Sequence, residues 1–149
     1  MDIKEDLVAW LHHHLAARNQ ILDEVIEMQD DSGGWDVYLK TKSKEQFYLV
    51  LPALVVSSVV AKAKPDAHVC VVVPNNHRAV QETINHWDEL ARLPKLCIIY
   101  ANPHAPYDKK WSIYPATHEK LIGKKNLKTA LMTLFAGVPE YREPKTIKE

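Results

Sequence analysis

Histidines stand side by side at positions 12, 13 and 14, and His77, His86, His104 and His118 follow further along the chain. Imidazole is the commonest transition-metal ligand, but the triplet falls in a segment with helical patterning. Neighbouring helical residues point about 100° apart, so the three rings do not converge on one ion. His104 and His118 flank a loop with Tyr107 and Lys110 that gathers polar groups without metal-ligand spacing. Cys70 and Cys97 lie inside apolar runs, where a thiol behaves as a small buried hydrophobe; free thiols in turn suggest a reducing, cytoplasmic setting. Asp36 and Lys40 are four residues apart in an alternating segment. They therefore share a strand face and are expected to form a surface ion pair. No Gly-x-Ser-x-Gly elbow, phosphate-cradling Gly-x-x-x-x-Gly-Lys loop or Gly-x-Gly-x-x-Gly fingerprint occurs, and only four glycines are available. Val73–His77 runs from a strand into a helix, a junction that binds anions in some folds and reads here as a helix cap.

The elements that must carry these residues follow from periodicity. Ile3, Leu7, Trp10, Leu11 and Leu15 predict an amphipathic helix over 3–18, broken at Asn19-Gln20. Residues 21–28 fit either a helical continuation or a first strand. Asp30 to Gly34 reads as a turn. Residues 35–42 alternate, with Trp35, Val37 and Leu39 on one face, and 46–51 form the next strand. Residues 53–64 suit helix or strand. His68–Val73 and 95–100 are buried strands, separated by a helix whose stripe is Val80, Ile84, Trp87 and Leu90. A proline-rich loop leads to a short strand at 111–114, and a last helix spans 126–135. The expected order is α-β-β-β-α-β-α-β-β-α: an α/β fold with a mixed sheet flanked by helices. One domain over 1–139 and a loose polar tail over 140–149 complete the layout.

This order resembles the PD-(D/E)XK, or restriction-endonuclease-like, phosphodiesterase fold. One fragment adds to the likeness: Gly33-Gly34-Trp35-Asp36-Val37-Tyr38-Leu39 looks like the strand that supplies the family's first metal-binding aspartate. The next strand, Phe47-Tyr48-Leu49-Val50-Leu51-Pro52, occupies the place of the family's Glu-x-Lys, yet Val50, Leu51 and Pro52 offer no ligand. The resemblance implies two carboxylates holding Mg²⁺ and a lysine orienting the attacking water. A rearranged catalytic site would use Asp36 and Lys40, with Mg²⁺ between Asp36 and Glu24, or with Glu5 or Glu27 as the second carboxylate.

Three functions are compatible with these observations. The first is a catalytically degenerate PD-(D/E)XK-like domain that binds or assembles, without a cofactor. The second is a Mg²⁺-dependent nuclease with the rearranged site. The third is a small structural module, for which a homodimer is the natural form. Net charge is zero, but acids prevail over residues 1–50 and bases over 101–149. Lys109, Lys110, Lys124 and Lys125 are therefore the candidate nucleic-acid contacts, supplemented by Lys120 and Lys128. The longest apolar stretch, 47–61, is too short and interrupted to span a bilayer, so no membrane partner is expected.

Overall fold

The computed structural model describes residues 2–105 and 109–142. Its elements run α1 (Ile3–Leu22), β1 (Val25–Ser32), β2 (Trp35–Thr41), β3 (Glu45–Val50), α2 (Val56–Lys62), β4 (His68–Pro74), α3 (His77–Asn85), α4 (Trp87–Ala91), β5 (Cys97–Ala101), β6 (Lys110–Ile113), α5 (Pro115–Leu121) and α6 (Leu127–Ala136). The six strands form one mixed sheet in chain order. β1, β2 and β3 meander antiparallel, β3, β4 and β5 are parallel, and β6 returns antiparallel to β5. The expected α/β fold with a mixed, helix-flanked sheet is present.

Parallel neighbours need crossovers, and crossovers of one hand between successive strands fall on one side of a sheet. Accordingly α2, α3, α4 and α6 pack on the face carrying Val69, Val71, Val73, Ile98 and Tyr100. α1 alone covers the other face, setting Leu7, Trp10, Leu11 and Leu15 against Val50, Cys70, Val72, Cys97 and Ile99. The odd–even split of β4 between the two clusters is the two-residue pleat at work.

Several boundaries move for local reasons. α1 does not stop at Asn19. The Asn19 side chain reaches ahead, its Oδ1 accepting from the Glu24 and Val25 backbone N–H groups at 2.9 Å each, so the helix ends at Leu22 with Asp23 left-handed. Residues 21–28 thus divide between helix end and β1. The turn expected over 30–34 shrinks to Gly33-Gly34, both at positive φ, as a two-residue hairpin with right-handed strand twist requires. Residues 53–64 hold the short helix α2. The helix between β4 and β5 breaks at His86 into α3 and α4. α5, absent from the expected order, starts on Pro115, whose fixed φ and missing N–H suit a first helical position.

Trp35 also departs from expectation. Val37 and Leu39 lie under α1, but Trp35 packs with the opposite cluster and meets Phe47 at a ring separation of 5.4 Å. The regular alternation is lost at Asp36, where the β2–β3 ladder ends.

At the carboxyl ends of the parallel strands, buried Asn75 ties distant segments together. Its Oδ1 accepts from Trp111 Nε1 at 2.7 Å, and its Nδ2 donates to the Val138 carbonyl at 3.1 Å. Its backbone carbonyl accepts from Tyr141 N at 2.8 Å. Asn102, at the end of β5, donates to the Pro139 carbonyl at 3.1 Å. Tyr141 is buried, and of the tail expected over 140–149, residues 143–149 lie outside the described part. Asn75→Ala orphans a buried indole N–H and a carbonyl, and an expected loss of about 2–4 kcal/mol should appear in urea denaturation of the variant against the parent chain.

Candidate functional site

β2 and β3 pair from Lys40–Glu45 up to Val37–Tyr48 and then separate. The Asp36 carboxylate enters the opening. Its Oδ2 accepts from the Val50 backbone N–H at 2.7 Å, and its Oδ1 faces Lys4 Nζ at 3.1 Å from the first turn of α1. Asp36 is largely enclosed, with a side-chain exposure of 13%, against 44% for Lys4. The carboxylate therefore supplies an acceptor that β2 no longer offers to β3, and the ammonium supplies the counter-charge.

The partners expected for Asp36 stand elsewhere. Lys40 is four residues along β2, roughly 13 Å away at the rise of an extended strand, and is exposed between Glu27 on β1 and Glu45 on β3. The pair with Lys40 is thus replaced by one with Lys4. Glu24 lies at the far end of the hairpin, where its carbonyl accepts from Lys42 N and its carboxylate approaches Arg18 at 3.9 Å. Glu27 sits opposite Lys40, and Glu5 is exposed on α1. Magnesium demands near-octahedral oxygen donors. Here a single carboxylate, already committed to an N–H and an ammonium, faces an apolar Val50, and these residues do not fit that ion. Among the described residues, no group of three or more His, Cys, Asp or Glu side chains is arranged to hold a metal.

Elsewhere on α1, the helix and the segment after β5 enclose an open cavity of about 290 Å³ lined by Asp6, Ala9, Trp10, His13, Pro103 and His104. His104 Nε2 and Asp6 Oδ2 are 2.9 Å apart. The buried Trp10 Nε1 has no hydrogen-bond partner among the described residues. The histidine triplet diverges as helical geometry requires: His12 bonds Asp30 at 2.8 Å, His13 lines the cavity, and His14 stacks on Trp10. His118 meets Trp87 edge-on, and Trp87 Nε1 donates to Glu119. Tyr107 lies outside the described residues.

The four lysines do not form one patch. Lys110 pairs with Ala101 at the carboxyl end of β5, with Lys109 next to it. Lys124 pairs with Asp88 and, with Leu127, borders the C-terminal end of α3 and the start of α4 at the opposite end of the sheet; exposed Lys125 adjoins it. Only Lys109 and Lys110 share the end that holds Asp36. No protein-family model, curated protein or solved structure matches the chain.

Lys4, Asp6 and Trp10 escaped the sequence reading as site residues. A signal for Lys4 exists: it precedes Leu7 and Leu11 on the buried stripe of α1, and a cation in a helix's first turn opposes the macrodipole. Replacement of Asp36 separates its two roles. Asp36→Asn keeps an acceptor for Val50 N–H and loses only a half-exposed ion pair, an expected cost below about 1 kcal/mol. Asp36→Ala also orphans that N–H and should cost about 1–3 kcal/mol. Paired urea titrations check the order.

Proposed function

We propose that the chain is a PD-(D/E)XK-like domain in which the Lys4 ammonium stands where a divalent cation would balance Asp36, and that it works by binding or assembly instead of hydrolysis. One observation carries this reading: both oxygens of the single carboxylate at the strand opening are engaged, by the Val50 N–H and by Lys4. A phosphodiesterase of this type needs a free pair of carboxylates for the metal and a lysine for the water. Apolar Val50 supplies neither, and Lys40 and Glu24 are too far along the hairpin to replace them. A Lys4 ammonium also needs no cofactor.

Nucleic acid is the partner class that the charge distribution favours, through Lys109 and Lys110 at the Asp36 end. Phosphate contacts by lysine are sequence-tolerant and weaken with salt. No helix among the described residues is long and apolar enough to cross a membrane.

Calorimetric titration with Mg²⁺ and Mn²⁺ should show no saturable heat, and oligonucleotide incubation with either metal no cleavage. Saturable Mg²⁺ binding together with cleavage that disappears in Asp36→Ala would overturn the reading in favour of a rearranged nuclease. Fluorescence anisotropy with a labelled duplex tests the partner class. Lys109→Ala with Lys110→Ala should lower affinity and flatten its salt dependence, whereas Lys124→Ala with Lys125→Ala should leave both near the parent values.

A further inference from the structure

On the α1 face, register aligns one lateral row across four strands. Tyr48 of β3 is the partner of Cys70 of β4, and Cys70 is the partner of Cys97 of β5. The β5–β6 register that pairs Ile98 with Ile113 carries on to set Tyr114, the residue after β6, opposite Cys97. The row therefore reads Tyr-Cys-Cys-Tyr. Both cysteines are free and buried, and they share the cluster beneath α1 with Tyr48.

The side chains of the row adjoin polar groups. The Tyr48 hydroxyl donates to Gln46 Oε1 at 3.5 Å, and Gln46 Nε2 in turn makes a weak contact with the Cys70 sulfur at 3.9 Å. Hydrogen bonding from Cys70 pulls the Cys97 thiol below its ordinary pKa against the opposing effect of burial; the Tyr114 hydroxyl and the charges of Lys110 and Lys44 act in the same direction. The same Cys–Cys bond, reinforced by burial, pushes Cys70 up. Cys97 is thereby the more readily deprotonated of the two, the asymmetry a dithiol needs for directed oxidation. Tyr114 is half-exposed, so the row meets solvent at the β6 side.

We propose that Cys97 and Cys70 form a dithiol oxidised by hydrogen peroxide, with Cys97 as the attacking thiolate and Cys70 as the resolving thiol. In the first step the Cys97 sulfur attacks one peroxide oxygen. The S–O bond forms as the O–O bond breaks, and the departing hydroxide takes a proton from solvent to leave as water. In the second step the Cys70 sulfur attacks the Cys97 sulfenic acid. The S–S bond forms as the S–O bond breaks, and the hydroxyl leaves with the Cys70 proton as a second water. Two thiols are oxidised to a disulfide while one peroxide is reduced to two waters.

Cα partners on neighbouring strands lie roughly 4.8 Å apart, inside the window of about 4.4–6.8 Å that a disulfide spans. Direct cross-strand placement constrains the bridge, which favours easy reduction by thiols. The two sulfurs have no third Cys, His, Asp or Glu ligand among the described residues with which to form a metal site.

Equimolar hydrogen peroxide added to the folded chain, followed by alkylation in denaturant and intact-mass analysis, tests the proposal. The expected product is a monomer lighter by two hydrogens with neither cysteine alkylated, restored by dithiothreitol. In Cys70→Ser, dimedone should label Cys97; in Cys97→Ser, Cys70 should stay unlabelled. Tyr114→Phe should slow oxidation several-fold without shifting the melting temperature. Full alkylation of both cysteines in the peroxide-treated parent chain would sink the proposal, as would disulfides formed only between molecules. The parent chain decides this even where a variant fails to fold.

Discussion

The side-chain amide of Asn75 is the constraint on which the arrangement of this chain turns. It stands just past the carboxyl end of β4, where its N–H still donates to the Ala101 carbonyl of β5 but the backbone is leaving the sheet. With no water to take them up, buried donors and acceptors must find protein partners. Asn75 answers with both ends of its amide and with its own carbonyl, joining β4 to Trp111 of β6 and to the chain after α6. Asn102 repeats the device one strand over. In an open α/β sheet the carboxyl ends of the parallel strands usually border a ligand crevice. Here the segment from Phe135 to Tyr141 is bonded across that place, and the helix-rich side of the crevice is filled by the chain itself. What stays accessible at this end lies on the α1 side, where Lys4 meets Asp36 and Asp6 meets His104.

That remaining side is governed by an economy of charge. An ionised carboxylate enclosed to the degree of Asp36 needs donors on both oxygens. The opening between β2 and β3 presents one, the Val50 N–H, and leaves the second to whatever cation is near. A metal would need further anionic ligands to make its own transfer from water worthwhile, and the neighbouring strand brings valine, leucine and proline. A lysine from α1 needs none of that, because its stem rests on the protein while its ammonium stays half in solvent. The helix accepts an unfavourably placed cation in its first turn, and Glu5 and Asp6 in the same turn offset it.

Much of the frame was legible because its signals are local and repeated. The apolar stripe of α1 carries a helical period, and the continuous apolar runs at His68–Val73 and 95–100 suit strands covered on both faces, the second starting at Cys97 in the structure. Where reading failed, a side chain acted over a distance that periodicity does not encode. Asn19 looks like a helix breaker but serves as a clamp for the chain ahead of it. Asp36 and Lys40 share a face in any alternating strand, yet strand rise, not face, decides whether two charges meet. Lys4 is thirty-two residues from Asp36 in sequence, and no spacing rule links a helix's first turn to a strand two elements later. The lysines at 109–110 and 124–125 look contiguous in sequence because the intervening strand and helix, which carry them to opposite ends of the sheet, are short.

The cysteines show the same limit from the other side. Each sits in a valine- and isoleucine-rich run, and that context alone describes an inert core residue. Inertness depends on what lies beside the sulfur, and in a sheet that is set by register between strands, not by neighbours in the chain. A shift of one residue in β4–β5 would put an apolar side chain next to each thiol, and one in β3–β4 would replace Tyr48 beside Cys70 with Phe47 or Leu49. The register actually adopted sets Tyr48 and Tyr114 at the outer flanks and the two cysteines side by side between them. A polar row in an otherwise apolar layer costs stability unless every member is satisfied. Here Gln46 takes up the Tyr48 hydroxyl and reaches the Cys70 sulfur, which leaves both thiols buried under α1 with a polar neighbour at the edge of the row.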